Sequence, residues 1–392
     1  MEHTIDQQTM RKHHMALILN IIKEYGCITR AELARVTGMS PTSVSRIVRD
    51  LLDAEVVLET GLTEGGVGRR GTVLEVNSSH LLSIGIHVDK DLMEAALVDL
   101  NGKIVAREEH RSQTHADPTA AIRGITTLVH RMMQKFLPDM GRLLGVGVGI
   151  PGLVSWPEGT SLYSPQFGWK GIPIRSILES ELGLTVLVDN HVKGMALGER
   201  FFGAAGNVEE FVCIYVGSGV GSAVFSKGEL HRGALNSSGE VGHMTLDPAG
   251  PLCNCGRLGC LQAYICEPAL EKEGGAPVPE ILAACDRREP WAVRLLERAI
   301  EYLGMALSNV VCAYSPSLIV LSGPLIERRK ELFIPKVREA CKRFLWGPLD
   351  GSFELVTSHL GGDSGVIGAA CIVFNELLSQ SVDVKPRLVE MI

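Results

Sequence analysis

The segment PLCNCGRLGCLQ, residues 251–262, places three cysteines within eight positions, at Cys253, Cys255 and Cys260. His243 stands ten positions before the first of them. Three thiolates and one imidazole complete the tetrahedral ligand set of a closed structural zinc site. Free cysteines are also common core residues, but short spacing punctuated by glycine beside a histidine favours metal binding. We therefore predict a structural Zn²⁺ ion held by these four side chains.

His243 belongs to a second motif, GEVGH, at Gly239–His243. One imidazole can hold a metal through one ring nitrogen and address a ligand through the other. The zinc loop is therefore expected to act as the scaffold of a binding pocket.

Composition places limits on the protein class. A chain of 392 residues can form two or three domains, each with its own core. A hydrophobic content of 45%, with 43 glycines and 5% aromatics, predicts α/β layering with many tight turns. The net charge of −7 argues against a protein coated in nucleic acid but permits one small DNA-reading module.

Targeting signals are not evident. The sequence contains no run of 18 apolar residues, and MEHTIDQQTMRKHH at residues 1–14 has no signal-peptide core. Without such a signal, the cysteines outside the cluster are interpreted as reduced thiols. These are Cys27, Cys213, Cys266, Cys285, Cys312, Cys341 and Cys371. The sequence thus predicts a cytoplasmic protein that does not associate with a membrane.

The first eighty residues have the pattern of a DNA-reading module. Apolar residues at helical spacing, from Met15 to Ile22, predict a first helix that Gly26 ends. Thr29 and Glu32 form a capping box for a second helix, and Ser40 caps a third. The third helix turns Val44, Ile47, Val48 and Leu51 inward. Two helices joined by a glycine turn, the second with exposed polar residues, indicate a helix-turn-helix.

A wing follows the third helix. Strands at residues 56–58 and 72–74 flank the loop GLTEGGVGRRG, whose arginines suit phosphates or a narrow minor groove. Residues 11–49 carry seven basic and two acidic side chains. A helical module for protein interaction is the alternative, but the caps, the exposed helix face and the basic wing favour DNA. The predicted DNA-binding residues are Thr42, Ser43, Ser45, Arg46, Arg49, Arg69 and Arg70.

From residue 81 onward, strands alternate with helices. Residues 81–88 and 94–99 are interpreted as a hairpin closed near Asn101-Gly102, and residues 145–150 as a buried strand. A strand at 185–188 delivers Asp189, Asn190 and His191 to its carboxyl end, where α/β folds place ligands. The glycine turn at 217–221 could bring backbone amides against an anion, and a final helix is predicted from Ser364 through Leu378.

The order of these parts resembles the ROK family (repressors, sugar kinases and uncharacterised frames) over nearly the whole chain. Four stretches carry the resemblance: the winged helix ending in GVGRRG, IPGLV at Ile150–Val154, GEVGH, and CNCGRLGC. The resemblance implies an actin-like, two-lobed ATPase fold with a sugar cleft between the lobes. The domains expected are a winged helix-turn-helix at 1–80, one lobe at 81–190 completed by about 364–392, and another at 191–363 with the zinc loop and a dimerisation surface.

Two departures from the family pattern argue against kinase activity. Family kinases carry an aspartate base where this chain has His191. Their first phosphate loop, Asp-x-Gly-Gly-Thr, is replaced by His-Val-Asp-Lys-Asp at residues 87–91, which lacks glycine and adds two carboxylates. Because phosphoryl transfer needs both a base and an open phosphate loop, we predict that the protein is not an enzyme. The glycine turn at 217–221 alone does not alter that prediction.

The resemblance also implies a sugar site. Glu240, His243 and Asn190 match family positions that contact ligand, whereas Gln262 stands where the family usually has glutamate and Gln166 where it often has asparagine. His191 is included as a binding group. Since polar pockets discriminate strongly among hydroxyl patterns, we expect a pentose, a modified sugar or a disaccharide rather than a common family hexose. A vestigial pocket is the alternative.

The function predicted from the sequence is a sugar-responsive DNA-binding regulator. A repressor that its sugar releases fits the resemblance best, and a homo-oligomer, dimer or tetramer, would read a pseudo-palindromic duplex. A sugar kinase and a regulator controlled by a protein partner are the alternatives. The effector, the operator and the sign of the sugar effect stay open at this stage.

Overall fold

The computed structural model describes residues 7–62, 71–89, 92–111, 117–136 and 142–378. Its first part is a module of three helices and a small antiparallel sheet with the strand order β1-β3-β2. The elements are α1 (Gln7–Tyr25), β1 (Ile28–Thr29), α2 (Arg30–Thr37), α3 (Pro41–Asp53), β2 (Val57–Leu62) and β3 (Thr72–Val76). This arrangement confirms the predicted winged helix-turn-helix; Arg69 and Arg70 lie outside the described residues.

Local hydrogen bonds set the helix ends of this module. The Glu32 amide donates to Thr29 Oγ1, and the Thr29 amide donates to the Glu32 carboxylate, which is the predicted capping box. Gly38 ends α2 in the left-handed region, with φ of 68°. Ser40 then caps α3 by accepting from the Ser43 amide at 3.1 Å. These contacts within a few residues fix the turn between α2 and α3.

The second part is a five-stranded sheet with the order β11-β7-β4-β5-β6. Its strands are β4 (Leu81–Val88), β5 (Leu92–Asp99), β6 (Ile104–Arg111), β7 (Arg142–Ile150) and β11 (Val186–Asn190). Helices α4 (Pro118–Phe136) and α5 (Ile174–Leu182) pack on it. A smaller antiparallel sheet stands between β7 and β11 along the chain, made of β8 (Leu153–Val154), β9 (Ser161–Ser164) and β10 (Trp169–Ile172).

The position predicted for the turn of the first hairpin in this sheet is wrong. β4 and β5 do pair antiparallel, but their connection follows Val88, where Val88 pairs with Met93. The turn at Asn101 and Gly102 instead leads from β5 into β6, a strand that the sequence analysis missed. β6 lies at the sheet edge and exposes charged side chains, so its sequence lacks a clear apolar alternation.

The third part is another five-stranded sheet, with the order β14-β13-β12-β15-β16. Its strands are β12 (Phe211–Val216), β13 (Val220–Ser226), β14 (Glu229–His231), β15 (Leu318–Ser322) and β16 (Glu354–Thr357). Six helices accompany it: α7 (Gln262–Ile265), α8 (Glu267–Gly274), α9 (Val278–Asp286), α10 (Pro290–Tyr314), α11 (Pro324–Glu327) and α12 (Lys330–Phe344). Apolar residues of this sheet and of α10 share one core.

Two helices link the lobes. α6 (His191–Phe202) follows β11 and contacts both large sheets, while α13 (Ser364–Leu378) packs on α6 and on β4 and β7. The final helix therefore has its predicted bounds and returns to the first lobe. None of the described helices is long and apolar enough to cross a membrane.

Glycine lets α13 lie directly on the sheet. A Cβ atom at Gly147 would stand 1.9 Å from the backbone oxygen of Ala369, and one at Gly85 would stand 2.0 Å from that of Val366. Neither contact can be relieved by turning a side chain, because both partners are backbone atoms. The glycines of the two strands thus determine how close the helix comes to the sheet.

We expect Gly147→Ala to lower the free energy of unfolding by about 1–3 kcal/mol, since overpacking forces the backbone to shift. Urea unfolding followed by circular dichroism measures this change. Gly347→Ala is the matched control, because open space surrounds a Cβ atom there. Equal stability of the two variants would contradict the close packing of α13.

Candidate functional site

The four predicted metal ligands lie together. His243 ends a 3-10 turn at Val241–His243, and the following loop folds back to bring Cys253, Cys255 and Cys260 beside it. The ligand atoms of these four side chains all lie within 4.8 Å of one another. A loop that gathers one nitrogen and three sulfurs has the donor set that zinc prefers.

Two of the distances between donor atoms match those of a tetrahedral site. Nδ1 of His243 lies 3.7 Å from Sγ of Cys253, and Sγ of Cys255 lies 3.7 Å from Sγ of Cys260. With zinc–sulfur bonds of about 2.3 Å, the edge of a tetrahedron measures about 3.8 Å. The residues therefore fit a tetrahedral metal ion, with Nδ1 as the histidine ligand atom.

Glycine closes this loop tightly. Gly259 adopts φ of 66°, and a Cβ atom there would stand 1.5 Å from the backbone oxygen of Asp247. The amide of Gly259 donates to Pro251, and the amide of Cys253 donates to Arg257. These backbone hydrogen bonds position the cysteines independently of a bound ion.

A cleft adjoins the metal-ligand cluster. It brings together all six residues that the family resemblance implies for a sugar site, which are Gln166, Asn190, His191, Glu240, His243 and Gln262. The sequence analysis missed Tyr215, Ser222 and Asn254, which also line the cleft. Asn254 had one available signal, its place between two ligand cysteines, whereas the other two reach the cleft only through the fold.

Asn190 and His191 stand where β11 passes into α6. Oδ1 of Asn190 caps α6 by accepting from the amides of Val192 and Lys193, and its Nδ2 donates to the carbonyl of Gly152 at 2.9 Å. Most of the hydrogen-bonding capacity of Asn190 therefore positions the cleft wall, and one N–H of its amide is left for a ligand.

His191 is held in one tautomer. Its Nδ1 lies 3.2 Å from the carbonyl oxygen of Ile150, so Nδ1 carries the proton and Nε2 is an acceptor. Burial, and next the neighbouring His87, lower the pKa of His191 to about 4. The imidazole is therefore neutral at physiological pH.

Three amide side chains form another part of the wall. Oε1 of Gln262 accepts from the Val220 amide at 3.0 Å, and Nε2 of Gln262 donates to Oδ1 of Asn254 at 2.9 Å. Oε1 of Gln166 is buried and has no hydrogen-bond partner among the described residues. An unpaired buried acceptor is costly, so a ligand that donates to Gln166 would remove that cost.

A buried ionic network lies behind the cleft, and the sequence analysis did not find it. The carboxylate of Asp189, which is fully buried, accepts from Arg232 at 2.6 Å and from Asn236 at 2.9 Å. Nζ of Lys193 donates to the carbonyl of Ser238 at 3.2 Å, and burial lowers the pKa of Lys193. These contacts join the start of α6 to the segment before Glu240. The partners are far apart in sequence, so no local pattern marks the network.

The candidate DNA-binding face lies on α3. Thr42, Arg46 and Arg49 are exposed, whereas Ser43 and Ser45 are half-buried. The Ser43 hydroxyl contacts Ser40 Oγ at 2.9 Å, so Ser43 also serves the helix cap. The inward residues Val44, Ile47, Val48 and Leu51 are buried as predicted.

Comparisons with known proteins give the family. The sequence pattern of the ROK family matches residues 83–376. The chain belongs to the ROK family. A winged helix-turn-helix DNA-binding pattern matches residues 17–57 of this ROK protein.

Both regulators and kinases occur among proteins similar to this ROK chain. The xylose repressor of Bacillus subtilis (strain 168) is 29% identical over 378 residues, which cover 95% of this chain and 98% of the relative. A solved ROK family transcriptional regulator, a homologue of the Escherichia coli MLC protein, superposes with a TM-score of 0.84 at 22% identity, covering 97% of this chain and 100% of its own. A ROK family glucokinase from Streptomyces griseus in complex with glucose and AMPPNP gives a TM-score of 0.66 at 25% identity, covering 74% and 98%.

The ROK fold of this chain contains a second cleft. Five carboxylates line it, from Asp89, Glu94, Glu267, Glu271 and Glu327. The glycine turn between β12 and β13 lies beside it, and there the amide of residue 217 already donates to the carbonyl of residue 219. Glu94 and Glu267 form ion pairs with Arg107 and Arg328, so the carboxylates of this cleft are partly neutralised, and the turn uses part of its own hydrogen-bonding capacity.

Proposed function

We propose that this ROK protein is a DNA-binding transcriptional repressor that a small neutral carbohydrate releases from its operator. The observation that carries the proposal is the combination, in one chain, of a winged helix-turn-helix and a polar cleft lined by all six expected sugar residues. The similarity to a xylose repressor over nearly the full length of both chains supports it.

The polar groups of the cleft favour a neutral, hydroxyl-rich ligand. The carboxylate of Glu240, Nε2 of His191 and Oε1 of Gln166 are all acceptors, and each suits an O–H donor. Glu240 would repel an anionic ligand, since its charge acts at short range in a partly enclosed site. Among the classes left open by the sequence, the xylose repressor relatives favour a pentose, and we propose D-xylose as the first ligand to test.

We further propose that the metal is zinc and that it is structural. Nδ1 of His243 and the thiolates of Cys253, Cys255 and Cys260 would hold it, because three sulfurs and one nitrogen leave no open coordination position. When bound, the ion supplies a rigid cross-link in the loop. His243 would then present Nε2 to the cleft, and Asn254 would be fixed between two ligands.

His191, Asp189 and the second cleft support the absence of kinase activity. A histidine with a pKa of about 4 is a weak base, and Asp189, its neighbour in sequence, is fully buried in an ion pair with Arg232. The second cleft has five carboxylates, of which Glu94 and Glu267 are paired with arginine, and the remaining negative charge would weaken binding of the triphosphate of ATP. We propose that this cleft no longer serves phosphoryl transfer.

For DNA, we propose that two copies of the chain place their α3 helices in successive major grooves of a pseudo-palindromic duplex, about 34–36 Å apart. Thr42, Ser43, Ser45, Arg46 and Arg49 would contact bases and phosphates from α3, with Arg69 and Arg70 on the wing. The division into a DNA-binding module at 1–80 and two lobes at 81–190 and 191–363 stays a prediction.

A ligand panel tests the proposed effector. We expect D-xylose at about 100 times its Kd to stabilise the protein by about 2.7 kcal/mol, which corresponds to a rise in Tm of about 5–10 °C for a lobe of this size. Differential scanning fluorimetry with D-xylose, D-glucose, N-acetyl-D-glucosamine and D-glucuronate measures this rise. D-glucuronate is expected to give no shift because of Glu240.

Two controls accompany the panel. Glu240→Gln should lose most of the shift, whereas Glu229→Gln, at an exposed carboxylate on β14, should keep it. A coupled assay for ATP consumption is expected to show no turnover with any sugar of the panel. Sugar-dependent turnover would mean that the protein is a kinase, and the absence of any shift would remove the carbohydrate from the proposal.

A further inference from the structure

Helix α6 runs from the candidate sugar cleft to the DNA-binding module. Its cap, Asn190, and its first residues, His191 and Val192, line the cleft. Its last residues, Phe201 and Phe202, reach α1 of the winged helix-turn-helix. Twelve helical residues span about 18 Å. One continuous helix thus contacts both the sugar cleft and the DNA-binding module.

α6 is tightly packed at its middle and at its far end. A Cβ atom at Gly368 of α13 would stand 2.6 Å from backbone atoms of Gly194, so the two helices touch at their backbones. At its far end, the buried Glu199 accepts from the amide of Ala204 at 2.8 Å and from the hydroxyl of Ser358. Because packed interiors transmit displacements, we expect a shift at the cleft to reach Phe201 and Phe202.

Lys23 is the α1 residue that meets the end of α6. Its Nζ lies 4.5 Å from the ring centroid of Phe201 and 5.6 Å from that of Phe202, which is cation–π geometry. The Lys23 side chain is half-buried, and this burial lowers its pKa. Cation–π attraction is stronger when the cation is desolvated.

α1 in turn supports the candidate recognition helix. Arg11 of α1 forms an ion pair with Asp50 of α3 at 2.6 Å, and Ile18 and Ile22 of α1 share a core with Ile47 of α3. A change in the position of α1 is therefore a change in the position of α3.

We propose that Lys23 is the positioning residue through which occupancy of the sugar cleft is read at the operator. It couples the end of α6 to α1 and hence to α3. Other contacts between the module and the body, from Asn20 to the carbonyl of Leu378 and from Arg142 to the carbonyl of Ala54, attach to α13 and β7. Asn20 thus ties α1 to α13, which itself touches α6 at the backbone, whereas Lys23 contacts the rings at the end of α6 directly.

The proposal rests on the function proposed above, and Lys23→Met tests it. Operator Kd is measured by fluorescence anisotropy, with and without saturating D-xylose, on a duplex selected from a randomised pool. In the unaltered protein the ratio of the two Kd values is expected to be about 5- to 150-fold. In Lys23→Met the ratio should fall by about 2- to 30-fold, while the xylose Kd and the sugar-free operator Kd stay within about threefold. Lys23→Arg should restore the ratio, because it keeps a cation over the rings.

Lys135→Met is the matched control, since Lys135 also lies over a phenylalanine ring, that of Phe136, at 5.0 Å, but on α4. Its ratio should equal that of the unaltered protein. An unchanged ratio in Lys23→Met would overturn the proposal, and so would equal losses in Lys23→Met and Lys135→Met.

A second arm needs no sugar. Asn190→Ala removes the cap of α6 at the cleft, and we expect it to change the operator Kd by about threefold or more. In the Lys23→Met background the same substitution should change the operator Kd by less than about twofold, which is the non-additivity of coupled sites. Independent effects of the two substitutions, or an Asn190→Ala variant with unaltered operator Kd, would overturn the role of Lys23. Failure to select any duplex would instead refute the proposed DNA-binding function itself.

Discussion

Cys255→Ser is expected to release the bound metal and to destabilise the second lobe. A serine hydroxyl is a poor zinc ligand at neutral pH, and a ligand set reduced to two thiolates and one imidazole binds far more weakly. We expect zinc content to fall from about one ion per chain to a small fraction of that. Inductively coupled plasma mass spectrometry on the purified protein measures this fall.

The loss of stability should be large because the metal cross-links the loop to His243, a connection that the backbone hydrogen bonds of the loop do not replace. Loss of a structural metal belongs to the class of changes that cost more than about 3 kcal/mol. For a lobe of this size, that cost corresponds to a fall in Tm of about 6–12 °C. Calorimetry measures the fall, and Cys312→Ser, which removes an exposed thiol outside the cluster, should leave Tm and zinc content unaltered.

The same substitution should weaken the sugar site. Asn254 stands between two ligand cysteines and accepts from Gln262 at 2.9 Å, so a loosened loop loosens that wall. We expect affinity for D-xylose to fall by about tenfold or more, equivalent to about 1.4 kcal/mol. Full zinc content in Cys255→Ser would show that the ligand assignment is wrong, whatever the effect on Tm.

Features encoded within a few residues could be predicted from the sequence. The capping box of Thr29 and Glu32 acts over three positions, and the four candidate metal ligands stand on one short loop and one turn, so their spacing alone predicts that they cluster. The bounds of α13, from Ser364 to Leu378, also follow from a continuous apolar run between a glycine-rich turn and a polar tail. In each case the physical interaction and its sequence signal have the same short range.

Features that depend on distant partners could not be predicted in this way. Asp189 was placed at the carboxyl end of a strand, but its ion pair with Arg232 spans 43 positions and has no local pattern. Asn190 is predicted to contact the ligand, and in the fold its side-chain oxygen caps α6. The residue type fits both roles, and only the fold shows how much of the amide the helix uses. The strand β6 was not predicted for a different reason. It lies at the edge of the sheet with one face in solvent, so its sequence resembles that of a polar loop.

Arg46→Ala is expected to give the largest loss of operator affinity among substitutions on α3. Arg46 is exposed near the middle of that helix, whose orientation the Ser40 cap helps to set. An arginine that binds the edge of a guanine is worth about 1–3 kcal/mol. Two copies in a symmetric dimer double this to about 2–6 kcal/mol, a loss of roughly 30-fold to 10⁴-fold.

The character of the loss distinguishes base reading from phosphate contact. A base-reading arginine should lose affinity for the selected duplex but little for a scrambled one, whereas a phosphate contact weakens both and lowers the salt dependence of binding. Anisotropy titrations on both duplexes at several salt concentrations separate the two cases. Arg294→Ala, at an exposed position on α10, should bind both duplexes as the unaltered protein does. If Arg46→Ala kept full affinity and full discrimination, α3 would not be the helix that reads the operator, and the match of residues 17–57 to a DNA-binding pattern would describe the fold of the module without its use.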